Sequence, residues 1–293
     1  MANPQEDCVQ RGHRCVMNLD SMNGPLGKPL SLVGMVILVS IFLVAVFANF
    51  LAPVDPYKQN WPQALQPPSS AHSLGTDVYG RDILSRVIYG CRTSLLVGLA
   101  AVLIGGGLGT PIGLVTAFFG GKLDAFIMRI MDAMLAFPSV ILALAVQASL
   151  GPGLENAIIA IGFVSLPEYV RVMRSSMLAA KERPYVEAAR AVGVSDRDMI
   201  FRHILPNCLG PTIVQSTVNI GSAILIGASF SFLGLGAQPP TADWGADIAL
   251  AVPMLREAPW ASFFPGFAIM MTVLGFNLVG DAVLDALNPR LRK

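Results

Sequence analysis

The chain is 293 residues long, 54% hydrophobic and only 13% charged, where soluble domains carry roughly 25% charged residues. A net charge of +1 gives no basic surplus, so no nucleic-acid partner is expected. The charges cluster, and Pro29–Val54, Thr93–Gly121, Ala133–Leu154 and Ala258–Gly280 contain none; a bilayer-crossing helix needs about 20 mostly apolar residues.

His203–Ala242 holds a fifth span plus a non-spanning apolar segment, and Asn156–Pro167, extended to Leu178, supplies another. The reading is an all-α membrane protein with six transmembrane helices. A soluble apolar-core protein would need polar faces on these segments.

In chain order, residues 1–29 read as a polar tail and 30–293 as one membrane domain. Cys8 and Cys15 flank His13 in the tail. Their spacing fits no standard zinc pattern, so they read as reduced thiols. The apolar run after Lys28 exceeds a signal h-region and reads as an uncleaved first span, about Leu30–Leu51; Met17 and Met22 are alternative starts. Ala52-Pro53-Val54-Asp55-Pro56 ends that span.

An outer loop then leads to His72-Ser73-Leu74-Gly75-Thr76-Asp77-Val78-Tyr79-Gly80-Arg81-Asp82. Thr76 or Asp77 can cap a helix. Ile83, Leu84, Val87, Ile88 and Cys91 share one helical face. They predict an amphipathic helix on the membrane surface or packed on the ends of the bundle. The second span, Thr93–Phe119, carries Gly105, Gly109 and Gly113 at steps of four, a stripe for close helix packing. Gly105-Gly106-Gly107-Leu108-Gly109 lacks the strand context of a nucleotide loop.

In the third span Pro138 predicts a kink, and Arg129 is placed to pair with Asp132. Glu168 is expected near the inner boundary of the fourth span, paired with Arg171 or Arg174. Gln215, Asn219 and Ser222 share one face of the fifth span, about Leu209–Phe232; they line a polar pathway or join helices. The Gly- and Pro-rich stretch from Ser231 to Trp244 predicts a short apolar segment dipping into the outer mouth. The sixth span starts near Phe263 and carries Asn277, a further pathway candidate, then Asp281.

Lys and Arg crowd into Arg11–Lys28, Lys122–Arg129, Arg171–Arg202 and Arg290–Lys293. The positive-inside rule makes that side cytoplasmic, with both termini inside. Cys91 then falls at the outer face and Cys208 near the cytoplasmic end of the fifth span.

On the basic side, Glu187-Ala188-Ala189-Arg190-Ala191-Val192-Gly193 runs on to Ile204-Leu205-Pro206. It reads as a helix, a glycine break, and a second amphipathic helix stopped by Pro206. Ala188 and Ala189 keep one helix face small, and Gly193 permits an unusual backbone angle. That shape suits a lever presented to a partner protein. It resembles the EAA loop of ABC-importer permeases, whose helices dock into ATPase subunits.

His72–Asp77, Gly80-Arg81-Asp82, Ser85-Arg86, the Glu187–Pro206 loop, Ser231–Trp244 and Asn277–Asp281 stand in order. After residue 30 the chain therefore resembles the second permease subunit of dipeptide, oligopeptide, glutathione and nickel ABC importers. His203 before Ile204-Leu205-Pro206 resembles the peptide-type members. The resemblance implies a type I importer fold with a coupling loop over 180–207, carried by Glu187, Ala188, Ala189, Gly193, His203, Leu205 and Pro206. It implies four partners: a homologous second permease, two cytoplasmic ATPases and an outside substrate-binding protein. The setting is the lipid of a bacterial or archaeal cytoplasmic membrane.

No catalytic residue is assigned. The chain lacks G-x-x-x-x-G-K-[ST]; Gly120-Gly121-Lys122 is followed by Leu123, so ATP and Mg²⁺ belong to partner ATPases. H-E-x-x-H and G-x-S-x-G are missing too, and Asp77 and Asp281 are expected at opposite ends of the bundle. An ion-coupled secondary transporter is the rival of another class, but shows neither clear midplane ion ligands nor inverted repeats here. His13, His72 and His203 are expected in the tail, outer loop and cytoplasmic loop, so no metal site is assigned in the spans. The expected activity is import of di- or oligopeptides, glutathione-like ones included, by alternating access. Nickel or a nickel chelate is the alternative.

Overall fold

The computed structural model describes residues 29–287. The readings of Cys8, His13, Cys15 and the Arg290–Lys293 cluster lie outside them. The described residues are helical, with no β-strand and one isolated bridge, Thr76 to Asp82. The helices are α1 (Pro29–Val46), α2 (Ala48–Leu51), α3 (Ile83–Phe119), α4 (Gly121–Leu135), α5 (Ser139–Leu150), α6 (Leu154–Lys181), α7 (Pro184–Ala191), α8 (Asp196–Asp198), α9 (Leu205–Phe232), α10 (Trp244–Ala251) and α11 (Trp260–Leu287). Five runs are long and apolar enough to cross a bilayer: α1, α3, α6, Asp196–Phe232 and α11. A sixth, α4 with α5, is broken by a 93° bend, at the stretch ending in Pro138.

The expected amphipathic helix before the second span is not separate. α3 runs unbroken for 37 residues, about 55 Å at 1.5 Å per residue. Nothing around Arg92 breaks it, and its polar residues Ser85 and Arg86 are buried against other segments. The cap is Asp82, whose Oδ2 accepts from the Ser85 amide at 2.8 Å. Asp77 instead closes the preceding turn, accepting from the Tyr79 and Arg81 amides at 2.9 Å each. Thr76 donates to the Gln63 carbonyl at 2.5 Å.

α3 packs along α6 through small residues. Inside a bilayer apolar burial gives little drive, because lipid tails are equally apolar, so close backbone approach matters more. A Cβ at Gly109 would lie 2.7 Å from the Tyr169 Cβ, and one at Gly113 would lie 2.5 Å from the Val170 carbonyl oxygen. Gly105 faces Ser165, and Gly162 answers from α6 against Ile104.

Beyond α3, Gly120 and Gly121 have φ of +65° and +62°, which reverses the chain into α4. Lys181 Nζ donates to the Ala117 and Phe118 carbonyls at 3.0 and 2.7 Å, satisfying the end of α3. Asp132 pairs with Arg171 at 2.6 Å rather than with Arg129. Asp124 takes Arg174 through two bonds of 2.7 and 2.6 Å. α6 lies alongside α4 and delivers its guanidinium groups there, so Arg171 and Arg174 are not partners of Glu168.

Pro206 does not stop the second helix of the lever. Residues Met199–Ile204 form a π turn, in which the Leu205 amide reaches back to the Ile200 carbonyl. The wider spacing accommodates the missing proline N–H, and the helix continues into α9.

Candidate functional site

Three places gather the residues with chemistry. The first is the lever at the basic end. α7 starts at Pro184 and ends before Gly193, whose φ is +78°. Ser195 then caps α8 by accepting from the Asp198 amide at 3.2 Å. Val186, Ala189, Met199, Ile200, Ile204 and Cys208 are buried with Leu114, Phe118, Met173 and Met177. The other face is open: Glu187, Ala188, Arg190 and Gly193 are exposed, and Val192 and Phe201 are 79% and 58% exposed. The two alanines therefore do different things, Ala189 packing inward and Ala188 facing out. His203 and Leu205 are half-buried at the root of the lever, and Pro206 is exposed.

The second place is a hollow of about 160 Å³ between α3, α5, α6 and α9, with Ser139, Ser165, Glu168, Asn219 and Ser222 among its lining. Glu168 is the fifteenth of the 28 residues of α6. Its Oε2 accepts from Gln215 Nε2 at 3.1 Å and Asn219 Nδ2 at 3.2 Å. Gln215 also donates to Asn219 Oδ1 at 3.0 Å, so the three form one network. Asn277 is not brought to this hollow. It is exposed beside Leu225, Ile269 and Val273, on another flank of α9. Gly105, Gly109 and Gly113 lie in the α3–α6 contact just described.

The third place is a buried ionic cluster at the opposite end. Arg86 Nε and Nη2 both donate to Asp247 Oδ1, at 2.8 and 2.5 Å. Arg81 bonds Asp77 at 2.6 Å, and its Nη2 lies 4.0 Å from Asp247. Burial pushes the Asp247 carboxyl up to about 6, against the pull of Arg86 and Arg81. His72 Nδ1 is 2.9 Å from Asp82 Oδ1. Trp244, fully buried, donates to the Val87 carbonyl at 3.0 Å. This fixes the segment after α9, expected only as a dipping stretch, as a short helix bolted to α3.

Sequence reasoning missed two features. Arg86 and Asp247 are 161 residues apart, and no local spacing announces their pairing. Glu168 was assigned arginine partners; the signal for its true ones was the i, i+4 pair Gln215 and Asn219, the amides of α9 nearest its depth.

The family model described as "Binding-protein-dependent transport system inner membrane component" matches residues 109–293. The model described as "N-terminal TM domain of oligopeptide transport permease C" matches residues 26–68. The dipeptide transport system permease protein DppC of Alkalihalophilus pseudofirmus is 46% identical, over 90% of this chain and 86% of that protein. The probable D,D-dipeptide transport system permease protein DdpC of Escherichia coli is 46% identical, over 90% and 89%. The glutathione transport system permease protein GsiD of Pectobacterium atrosepticum is 42% identical, over 86% and 84%. Among solved structures, the inward-facing MetNI methionine ABC transporter gives a TM-score of 0.58 at 18% identity, covering 70% of this chain and 98% of that one. That likeness shows a shared fold.

Proposed function

The chain belongs to the family of binding-protein-dependent transport system inner-membrane components, and from that premise we propose that it imports di- or oligopeptides, glutathione-like ones included, by alternating access. It works as half of a permease pair, with a homologous second permease beside it. Two ATPases bind the basic end, which faces the cytoplasm together with both termini. A substrate-binding protein delivers cargo at the opposite end. ATP and Mg²⁺ act in the ATPases, and this chain is a non-catalytic subunit that binds neither.

One observation carries the reading. The lever and the hollow share a single helical run, Asp196–Phe232. Its first turns carry exposed Phe201, and its middle carries Asn219 and Ser222. A displacement of Phe201 by a partner is thus passed along a rod to the hollow, and α7, which carries Glu187 and Ala188, is packed on the first turns of that rod through Val186 and Ala189. For ATP to drive the cycle, the ATPases must bind the two arrangements with different affinity. The peptide class is supported by the names of the relatives above. It is also supported by a passage lined with hydroxyls, amides and one acid. Nickel is not favoured, since the relatives above are named for dipeptide and glutathione transport.

The test is Gly193→Pro. Proline is locked near φ −65°, Gly193 has φ +78°, and its N–H donates to the Arg190 carbonyl at 3.0 Å. Uptake should fall at least tenfold with the permease still in the membrane and its association with the ATPases weakened. Normal uptake would sink the lever assignment.

A further inference from the structure

We propose that Glu168 reads the amino terminus of the passing peptide: its carboxylate receives the substrate α-ammonium inside the membrane. The proposal rests on the peptide-import reading above and names the group that recognises the substrate.

An acid in the middle of a spanning helix costs free energy and persists where it is paired or used. Among the described residues no Lys, Arg or His pairs with Glu168. Arg171, three residues on along the same helix, is spent on Asp132, and Arg174 on Asp124. Among the described residues the hydrogen bonds to Glu168 come from the neutral amides of Gln215 and Asn219, both onto Oε2. Those bonds are made by neutral donors and orient the carboxylate through Oε2. Among the described residues Glu168 is also the only charged one lining the hollow. The site therefore attracts one cation and repels a second anion.

The chemistry of the hollow narrows that cation. A metal ion wants several carboxylate, imidazole or thiolate ligands, and one carboxylate beside amides and hydroxyls does not supply them. An ammonium has three donors, which suit a carboxylate with Asn219, Ser165, Ser139 and Ser222 around it. The size fits one end of a ligand. At about 160 Å³, the hollow is smaller than the roughly 300–1,000 Å³ of a pocket that encloses a small molecule. The peptide's first residue enters, against Ala143, Ile161 and Ile226, and the rest extends out of this chain. The charge sign sets the polarity: a zwitterionic peptide presents its amino end here, with its carboxylate directed away.

The experiment uses the assembled transporter, with its second permease, ATPases and binding protein, in proteoliposomes. Two dipeptides of leucine and alanine carry a diazirine on the leucine, placed first in one and second in the other, both with free amino termini. After photolysis during turnover, the label is mapped by mass spectrometry. The first-position diazirine should mark residues of the hollow on α5, α6 and α9 at least tenfold more than the second-position one. Glu168→Gln should erase that difference and cut uptake about tenfold, while Glu168→Asp retains most of both. Equal labelling from the two positions in the wild type, or labelling confined to other helices, overturns the proposal. The wild-type comparison needs no variant, so a folding defect in Glu168→Gln does not blunt it. Import of neither dipeptide by the wild type would reject the peptide reading itself, and this proposal with it.

Discussion

Glu168 of α6 and Asn219 of α9 stand 51 residues apart in the chain and are joined by a 3.2 Å bond from Nδ2 to Oε2. The bond fixes the depth at which α9 meets α6, and it sets a carboxylate at the wall of the hollow. A shift of α9 from the basic end therefore changes the surroundings of that carboxylate.

Asn219→Leu removes one of its two donors and leaves Gln215 in place. A hydrogen bond to a charged group is worth about 1.5–3 kcal/mol, and roughly 1.4 kcal/mol is a factor of ten. Uptake should fall about tenfold or more, with the permease present at normal levels. Gln215→Leu should act in the same direction, and the double variant should be no better than the worse single one. Wild-type uptake in Asn219→Leu would show that the bond does not matter to transport.

The glycine stripe should divide sharply by position. A side chain at Gly109 meets Tyr169 and the Leu166 carbonyl, whereas one at Gly107 meets nothing within 4 Å. Gly109→Leu should separate α3 from α6, seen as lost assembly or rapid proteolysis. Gly107→Ala should be neutral. Equal effects at the two positions would contradict the packing.

Orientation can be read by thiol labelling, but not with Cys91 or Cys208. Cys91 and Cys208 are both buried, so neither should react readily with an impermeant reagent. Trp61 is 62% exposed in the loop before α3, and Arg183 is exposed at the start of the lever. In intact cells Trp61→Cys should label and Arg183→Cys should not. Labelling of Arg183→Cys from outside would overturn the cytoplasmic placement of the lever.

The Arg86–Asp247 pair should be costly to break. Removing one partner from a buried pair typically costs about 3–5 kcal/mol, because the other charge is stranded. Arg86→Ala and Asp247→Ala should each lower the melting temperature strongly, while replacing both by apolar residues of similar volume should cost less. The pH dependence has a definite sign. Asp247 has a folded-state value of about 6, above the ordinary 3.8. The fold therefore binds this proton more tightly than the unfolded chain. Relative to Asp247→Asn, the wild type should gain stability as the pH falls from 7 to about 5, and lose it again on returning to 7. A flat difference across that range would contradict it.

Much of the site was legible because its signals are local. Gly105, Gly109 and Gly113 repeat at helical spacing, and Gly193 marks a break that the backbone indeed makes at positive φ. The lever's outer and inner faces were not separable in advance, since Ala188 and Ala189 are chemically alike and only packing against Met173 and Met177 tells them apart. Pro206 misled for a related reason. Its missing N–H predicts a stop, but a π turn over Met199–Ile204 lets the helix pass. Asn277 shares the chemistry of Asn219, yet sits on the flank of α9 away from the hollow.

The sequence by itself determined that this chain crosses a membrane several times, that its ends differ in charge, and that one polar island interrupts the apolar runs. Hydropathy and charge act residue by residue along a helix, so they survive without knowledge of neighbours. The tertiary structure alone decided which charges meet. Arg171 and Arg174 turn to α4, Arg86 reaches Asp247, and Glu168 is left with two amides at the edge of a hollow. Those pairings depend on how helices lie beside one another, and in a bilayer that is set by the close approach of small residues and by hydrogen-bond geometry rather than by hydrophobicity.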